Sequence, residues 1–355
     1  MNDFDYLNAR VRGMSTLLLT REFYDQVLAA ADAGAALLMD ALLASSYGEE
    51  LQKAMAERAG GSTVLAIETA ARRSVHAAFS KILAIAPPEP RRLLALQMNR
   101  WDVANLMTLL RGKLAGATPA DVLSAVLPIG ELDETQLGEL AAETDVTDMA
   151  DALVTWKHGF AATWRRAIRE CRPQDDRRAL ETAVYRAWFA LAFSQLNAQD
   201  PRHAPLRDIL RRQVDLANVI ALLDRVRGRE RGVTREAPAP IPCGTLPHPL
   251  LDELAACESL ESAFEILEVT YFAPAIEKGI LAYGQTHSLA VMERFLEVIV
   301  VTQGCRMFRQ DVLSLALPLG FIWRKYSELV NLRMLARGAV YRMPANAVRE
   351  GMVIV

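Results

Sequence analysis

Cysteine, histidine and aromatic residues are all scarce in this 355-residue chain, with four Cys, five His and 7% Phe, Trp and Tyr together. Cys171, Cys243, Cys257 and Cys305 show neither metal-ligand pairing nor the dense spacing of a small secreted frame. They read as reduced thiols, which points to the cytoplasm. His76, His158, His203, His248 and His287 are equally scattered, so no metal and no cofactor is expected. A phosphate-binding G-x-x-x-x-G-K-[ST] loop is missing, because Gly112-Lys113 lacks both the upstream glycine and the following hydroxyl. Asp175-Asp176 lacks the third aspartate of a diphosphate-binding motif and reads as a solvated helix start. Charge of one sign is also lacking: a net charge of −3 with acids and bases interspersed gives no general pull toward nucleic acid or an anionic membrane. Nor is there a long hydrophobic run. The apolar stretch 28–43 is interrupted by Asp32 and Asp40, and the opening Met1-Asn2-Asp3-Phe4-Asp5 has no signal core, so no direct membrane insertion is expected. These absences leave no catalytic residues to name and no small-molecule substrate to expect.

The chain does have apolar residues in quantity, 52% of the total, enough for large cores. Ala, Leu, Arg, Glu and Gln fill long stretches, and strand-like alternation is missing, so the fold class is all-α. The strongest strand candidate, Val298-Ile299-Val300-Val301, lies inside the helical spacing of Met292, Phe295, Leu296 and Ile299 and reads as helix. Pro87-Pro88 with Pro90 separates a helix carrying Glu68 from one over 91–111. Gly112 is the expected stop of that second helix, and Leu335-Ala336-Arg337-Gly338 repeats the ending. Thr118-Pro119 opens another helix, with Thr as N-cap and Pro at the first position. The proline-rich stretch 228–249 reads as an exposed linker, and 116–138 as a weaker boundary.

One pattern returns at a constant interval. Asp102-Val103-Ala104-Asn105, Asp215-Leu216-Ala217-Asn218 and Glu328-Leu329-Val330-Asn331 stand 113 residues apart in both steps. Ile67-Glu68-Thr69-Ala70 returns as Leu180-Glu181-Thr182-Ala183 at the same step, with a weaker third copy at Met292-Glu293-Arg294-Phe295. Leu28-Ala29-Ala30, Leu140-Ala141-Ala142 and Leu254-Ala255-Ala256 keep the same order. An acid stands three places before Asn four times, where composition alone would give about one such case. The fourth is Asp5-Tyr6-Leu7-Asn8, which reads as a partial copy closing against the third unit. A domain-sized period predicts three homologous helical-bundle units, 1–120, 121–235 and 236–355.

Residues i and i+3 share a helix face, so each acid projects beside its Asn. Asn is a poor helix-interior residue, and keeping it there calls for tertiary hydrogen bonds. Arg111, Arg225 and Arg337 follow one or two turns on, the middle one displaced by one position. The pattern is either a binding surface presented three times or a buried polar network fixing how helices meet, and we favour the network. Ser45-Ser46-Tyr47-Gly48, Val154-Thr155-Trp156 and Val269-Thr270-Tyr271-Phe272 occupy comparable places and read as core packing.

Several strings resemble the C subunit of V/A-type ATPases, whose eukaryotic relative is the d subunit of the vacuolar proton pump. They are Tyr6-Leu7-Asn8-Ala9-Arg10-Val11-Arg12-Gly13-Met14, then Asp102 to Asn105 with Leu109-Leu110-Arg111-Gly112-Lys113. The last runs from Gly320-Phe321-Ile322-Trp323-Arg324-Lys325 through Glu328, Asn331 and Arg333 to Arg337-Gly338. Departures fall at Tyr326, Ala339 and Arg342-Met343. The resemblance implies a pseudo-threefold funnel of helical domains. It also implies a non-catalytic central-stalk role, with the central shaft subunits and the membrane proteolipid ring as partners. Such a protein is peripherally attached on the cytoplasmic side and works in proton or sodium transport. The residues expected in the network or at partner contacts are Asp5, Asn8, Arg10, Arg12, Glu68, Asp102, Asn105, Arg111, Glu181, Asp215, Asn218, Arg324, Lys325, Glu328, Asn331, Arg333 and Arg337. A helical-repeat adaptor unrelated to rotary ATPases is the alternative, and an all-helical enzyme with a hidden acid site a more distant one.

Overall fold

Each of the three long acid-x-x-Asn segments is one uninterrupted helix of 26 or 27 residues: α6 (Pro88–Leu114), α12 (Ala204–Glu230) and α17 (Ala316–Tyr341). The computed structural model describes residues 4–29, 35–57, 62–170, 177–233 and 239–355. Cys171, Asp175, Asp176 and Ala30 lie outside the described residues. Among the described residues there are eighteen α-helices and no strand, in agreement with the all-α reading. None of these helices is long and apolar enough to cross a membrane.

The helices follow a repeated order of three short elements and then two longer ones. The first set is α2 (Arg21–Ala29), α3 (Ala35–Leu43), α4 (Gly48–Glu57), α5 (Thr63–Ile85) and α6. The second is α8 (Glu134–Ala142), α9 (Val146–Thr155), α10 (Ala161–Glu170), α11 (Arg177–Ser194) and α12. The third is α13 (His248–Ala256), α14 (Leu260–Glu268), α15 (Ala273–Thr286), α16 (Leu289–Arg306) and α17. Outside this order stand α1 (Asp5–Ser15), α7 (Pro119–Ala125) and α18 (Ala345–Glu350). Val298 to Val301 lie within α16, as the helical spacing predicts.

By contact the chain divides into two compact units. One comprises residues 1–94 and 271–355, and its axis is α17, packed against α5, α16, α1 and α3. From Ala316 to Phe321 and on through Trp323, α17 is buried on all sides, the mark of a helix inside a core. The other unit comprises residues 95–270 and packs α10 against both α9 and α11, and α12 against α13 and α14.

Local chemistry starts and stops these helices. Asp133 with Gln136 and Asp145 with Asp148 form capping boxes at α8 and α9. Thr118 caps α7 by accepting from the Asp121 N–H at 3.2 Å, with Pro119 in the first turn. The ends of α6 and α17 differ from expectation. Both helices run through their glycines, to Leu114 and Tyr341. Gly112 and Gly338 serve close packing instead, since a Cβ on either would overlap Val122 of α7 or Val348 of α18. The turn out of α6 is made by Gly116, at φ +69°, with Ala117 N–H donating to Gly112 O at 2.9 Å. The stretch 228–249 is exposed over most of its described residues, as expected, although α12 continues into it as far as Glu230 and Ile241 is buried.

Two glycine substitutions separate packing from propensity. Gly320 of α17 lies against the backbone of Phe308, so Gly320→Ala is expected to destabilise the protein by about 1–3 kcal/mol. Gly138 of α8 has open space around it, so Gly138→Ala is expected to stabilise by about 0.5–1 kcal/mol. Urea unfolding monitored by circular dichroism measures both.

Candidate functional site

In all three acid-x-x-Asn copies the Asn clasps the backbone of a single residue 22 or 23 positions later. Asn105 Nδ2 donates to Leu127 O at 2.6 Å while Leu127 N–H donates to Asn105 Oδ1 at 2.7 Å. Asn218 does the same to Ile241, at 2.9 and 2.7 Å, and Asn331 to Val353, at 2.8 and 2.9 Å. A side-chain amide thus imitates a strand neighbour and satisfies both polar groups of a residue that has neither helix nor sheet to do so. The three Asn residues are 1–4% exposed, so these bonds replace water rather than compete with it.

The acids hold the next stretch of chain. Asp102 accepts from Glu131 N–H at 2.8 Å and Leu132 N–H at 3.1 Å. Asp215 accepts from Thr245 N–H at 2.8 Å, from Leu246 N–H at 3.0 Å and from the Thr245 hydroxyl. Both carboxylates are fully buried, and charge-assisted bonds to backbone amides compensate their desolvation. Such close approach leaves no room for a side chain. A Cβ at Gly130 or Gly244 would overlap the Asp102 or Asp215 carboxylate.

Reading the long helices alone misses this part of the joints, although the sequence carries a signal for it. Leu127-Pro128-Ile129-Gly130-Glu131-Leu132 and Ile241-Pro242-Cys243-Gly244-Thr245-Leu246 share Pro, Gly and Leu at one spacing, 114 residues apart. They lie in the two stretches that read as boundaries, where turn residues need no further explanation.

The third copy is built differently. Its acid, Glu328, is 3% exposed and accepts from Leu19 N–H, from the Tyr47 hydroxyl at 2.6 Å and from Lys325 Nζ at 2.8 Å. Lys325 Nζ also donates to Tyr47 Oη at 2.8 Å and sits 4.2 Å from the centre of that ring. Apart from Lys325, one turn earlier in α17, the partners of Glu328 come from the start of the chain, where the first two acids use chain that follows them. Burial, then the neighbouring Glu328 charge, pushes the Tyr47 hydroxyl pKa well up, so it stays a neutral donor. Tyr47, expected in core packing, is therefore part of the acid's cage.

The remaining expected residues divide clearly. Arg111 pairs with Glu181 through two bonds, Nε to Oε1 at 2.8 Å and Nη2 to Oε2 at 2.6 Å. Glu68 receives Arg337 Nη2 at 2.9 Å and Arg333 Nε at 3.5 Å. These pairs link the acid-x-x-Asn helix of one copy to the Glu-Thr-Ala helix of another, from the first to the second and from the third to the first. Arg225 departs from this pattern: it donates to Ala255 O at the end of α13. Arg324 lies 4.9 Å from the Phe308 ring centre and donates to Val355 O at 3.4 Å; burial lowers its pKa. Asn8 is buried and donates to Val312 O at 2.9 Å and Ser314 O at 3.0 Å, so the N-terminal helix does close against the third copy. It makes half a clasp, because its Oδ1 has no partner among the described residues. Asp5 is exposed and does not repeat the buried acid; Arg10 and Arg12 are exposed as well.

The fold also gathers groups that sequence spacing scattered. His158 Nε2 lies 3.6 Å from Asp102 Oδ2 and 3.9 Å from Glu131 Oε2. Burial, then the Asp102 charge, raises the Glu131 pKa, while His158 opposes the shift. The free thiols Cys243, Cys257 and Cys305 are exposed, half-buried and buried respectively, and burial pushes Cys305 up to about 12.

Likeness to known proteins extends over almost the entire chain. Residues 7–351 match the family model described as ATP synthase (C/AC39) subunit. The C subunit of the V-type ATP synthase of Deinococcus radiodurans is 26% identical, over 98% of this chain and 91% of that protein. Its namesake from Thermus thermophilus is 26% identical over 99% of each chain. The C subunit of the A-type ATP synthase of Methanosarcina barkeri is 24% identical over 100% of this chain and 94% of its own length.

Two substitutions test the joints. Asn218→Ala leaves the buried N–H and C=O of Ile241 without partners and is expected to destabilise by about 2–4 kcal/mol in denaturant unfolding. Lys325→Met strands the Glu328 charge and is expected to cost about 3–5 kcal/mol, with most of the loss recovered in the double variant Lys325→Met/Glu328→Gln.

Proposed function

Because the chain belongs to the ATP synthase (C/AC39) subunit family, we propose that it is a non-catalytic component of the central stalk of a V/A-type rotary ATPase. In this role it couples the central shaft of the soluble head to the membrane proteolipid ring, linking ATP turnover to proton or sodium transport. The relatives named as C subunits of V-type and A-type ATP synthases support its place in such a complex. The three sequence units 1–120, 121–235 and 236–355 serve as three similar bundles of a funnel around the shaft, and the protein is held peripherally at the cytoplasmic face. That no described helix suits a bilayer is in keeping with peripheral attachment.

The observation that carries this reading is what the repeated side chains are used for. Asp102, Asn105, Asp215, Asn218, Glu328 and Asn331 are all buried and bound to the chain's own backbone or side chains. Groups so engaged present nothing to a substrate. They fasten the long helices to the segments that pack on them, and joints of this kind resist deformation, as transmission of torque requires.

Deleting the chain from its host complex is expected to leave ATP hydrolysis by the soluble head measurable and to abolish ATP-driven ion uptake by membrane vesicles, which the purified protein restores. Ion uptake unchanged by the deletion would overturn the proposal.

A further inference from the structure

Asp102 and Glu131 bring two carboxylates together beside a His158 side chain that is only 4% exposed and whose Nε2 has no hydrogen-bond partner among the described residues. One donor atom from each of the three lies within 4.8 Å of the other two. Asn99 adjoins the group, its amide nitrogen donating to Glu131 Oε2 at 3.0 Å and to Asp102 Oδ2 at 3.3 Å, and His158 Nε2 is left without a bond of its own. We infer that Asp102, Glu131 and His158 form a divalent-cation site of the zinc class within the first joint, with solvent water as the fourth ligand.

Four ligand atoms around one ion at about 2.0–2.2 Å stand roughly 3–3.6 Å apart. Here His158 Nε2 stands 3.6 and 3.9 Å from the two carboxylate oxygens and all three donor atoms lie within 4.8 Å of one another, so a contraction of the group closes the protein part of the shell and water fills the fourth position. An imidazole nitrogen with oxygen donors suits zinc and its first-row neighbours, whereas magnesium and calcium take oxygen alone. A cation also answers the electrostatic conflict of the site, two neighbouring acids with one imidazole between them. Glu131 is 35% exposed and opens the site to solvent, which gives an ion a way in.

The site belongs to one joint only. Where the first joint has Glu131 the second has Thr245, whose hydroxyl donates to Asp215 in place of a ligand. Phe160 N–H donates to His158 Nδ1 at 3.2 Å, so without a cation the ring proton is on Nε2. Coordination through Nε2 would require that proton to move to Nδ1, which opens the Phe160 contact. The bound ion would tie the 157–160 turn and the 127–132 segment to α6, adding a clamp to the hydrogen bonds already there.

Titration of the tag-free, chelator-treated full chain with Co²⁺ tests this. Expected are one equivalent bound, a d–d spectrum without thiolate charge transfer, displacement by Zn²⁺ but not by Mg²⁺, and, in the diamagnetic Zn²⁺ form, a large ¹⁵N shift of His158 Nε2 relative to the metal-free chain. His158→Gln and Glu131→Gln, each checked for unchanged helicity, are expected to weaken binding by about tenfold or more. Absence of saturable binding, a thiolate band, or both variants binding like the parent would overturn the inference, and the ¹⁵N shift decides it without any substitution.

Discussion

The structure depends on buried side chains that stand in for backbone. Long helices satisfy their own hydrogen bonds, but the extended segments between them do not, and burying those segments needs partners supplied from elsewhere. Asn105, Asn218 and Asn331 supply both a donor and an acceptor from one planar group, which is why an amide rather than a hydroxyl or a carboxylate occupies the position. The acid one turn earlier then takes two consecutive backbone N–H groups, in the first and second copies, and brings the chain so close that only glycine fits beside it.

Substituting Glu for Asp in the third copy follows from the same constraint. In the first two joints the chain downstream returns to the acid; in the third the N–H comes from Leu19, with Tyr47 and Lys325 completing the cage. A longer side chain and a buried cation replace a second backbone amide. The ion pairs Arg111 to Glu181 and Arg337 to Glu68 also join helices through side chains, each with an exposed Arg; the Glu181 pair is partly open to solvent screening, whereas Glu68 is buried and depends on its Arg partners.

Much of this is legible in the sequence because a copied pattern exposes its own constraints. The 113-residue step identifies the acids and amides, and the poor helix propensity of Asn identifies them as tertiary contacts. The helix stops are less legible: Gly112 and Gly338 look like terminators, yet their small size serves contact with Val122 and Val348. Local chemistry favours a stop at such glycines, and packing overrides it. Arg225 misleads for a similar reason, since a basic residue near the right spacing looks equivalent to Arg111 and Arg337 while its guanidinium caps α13.

What the sequence by itself determined is the all-α class, the threefold internal copying and the positions at which polar groups enter the core, all of which follow from periodicity and local propensity. Only tertiary structure decided what those groups hold, because hydrogen bonds between residues 22 to 309 positions apart leave no mark on spacing within a helix. Tyr47 reaches Glu328 and His158 reaches Asp102 through folding alone. A side chain's role is set by the groups that burial forces upon it, and those neighbours are chosen by the packing of the core around it.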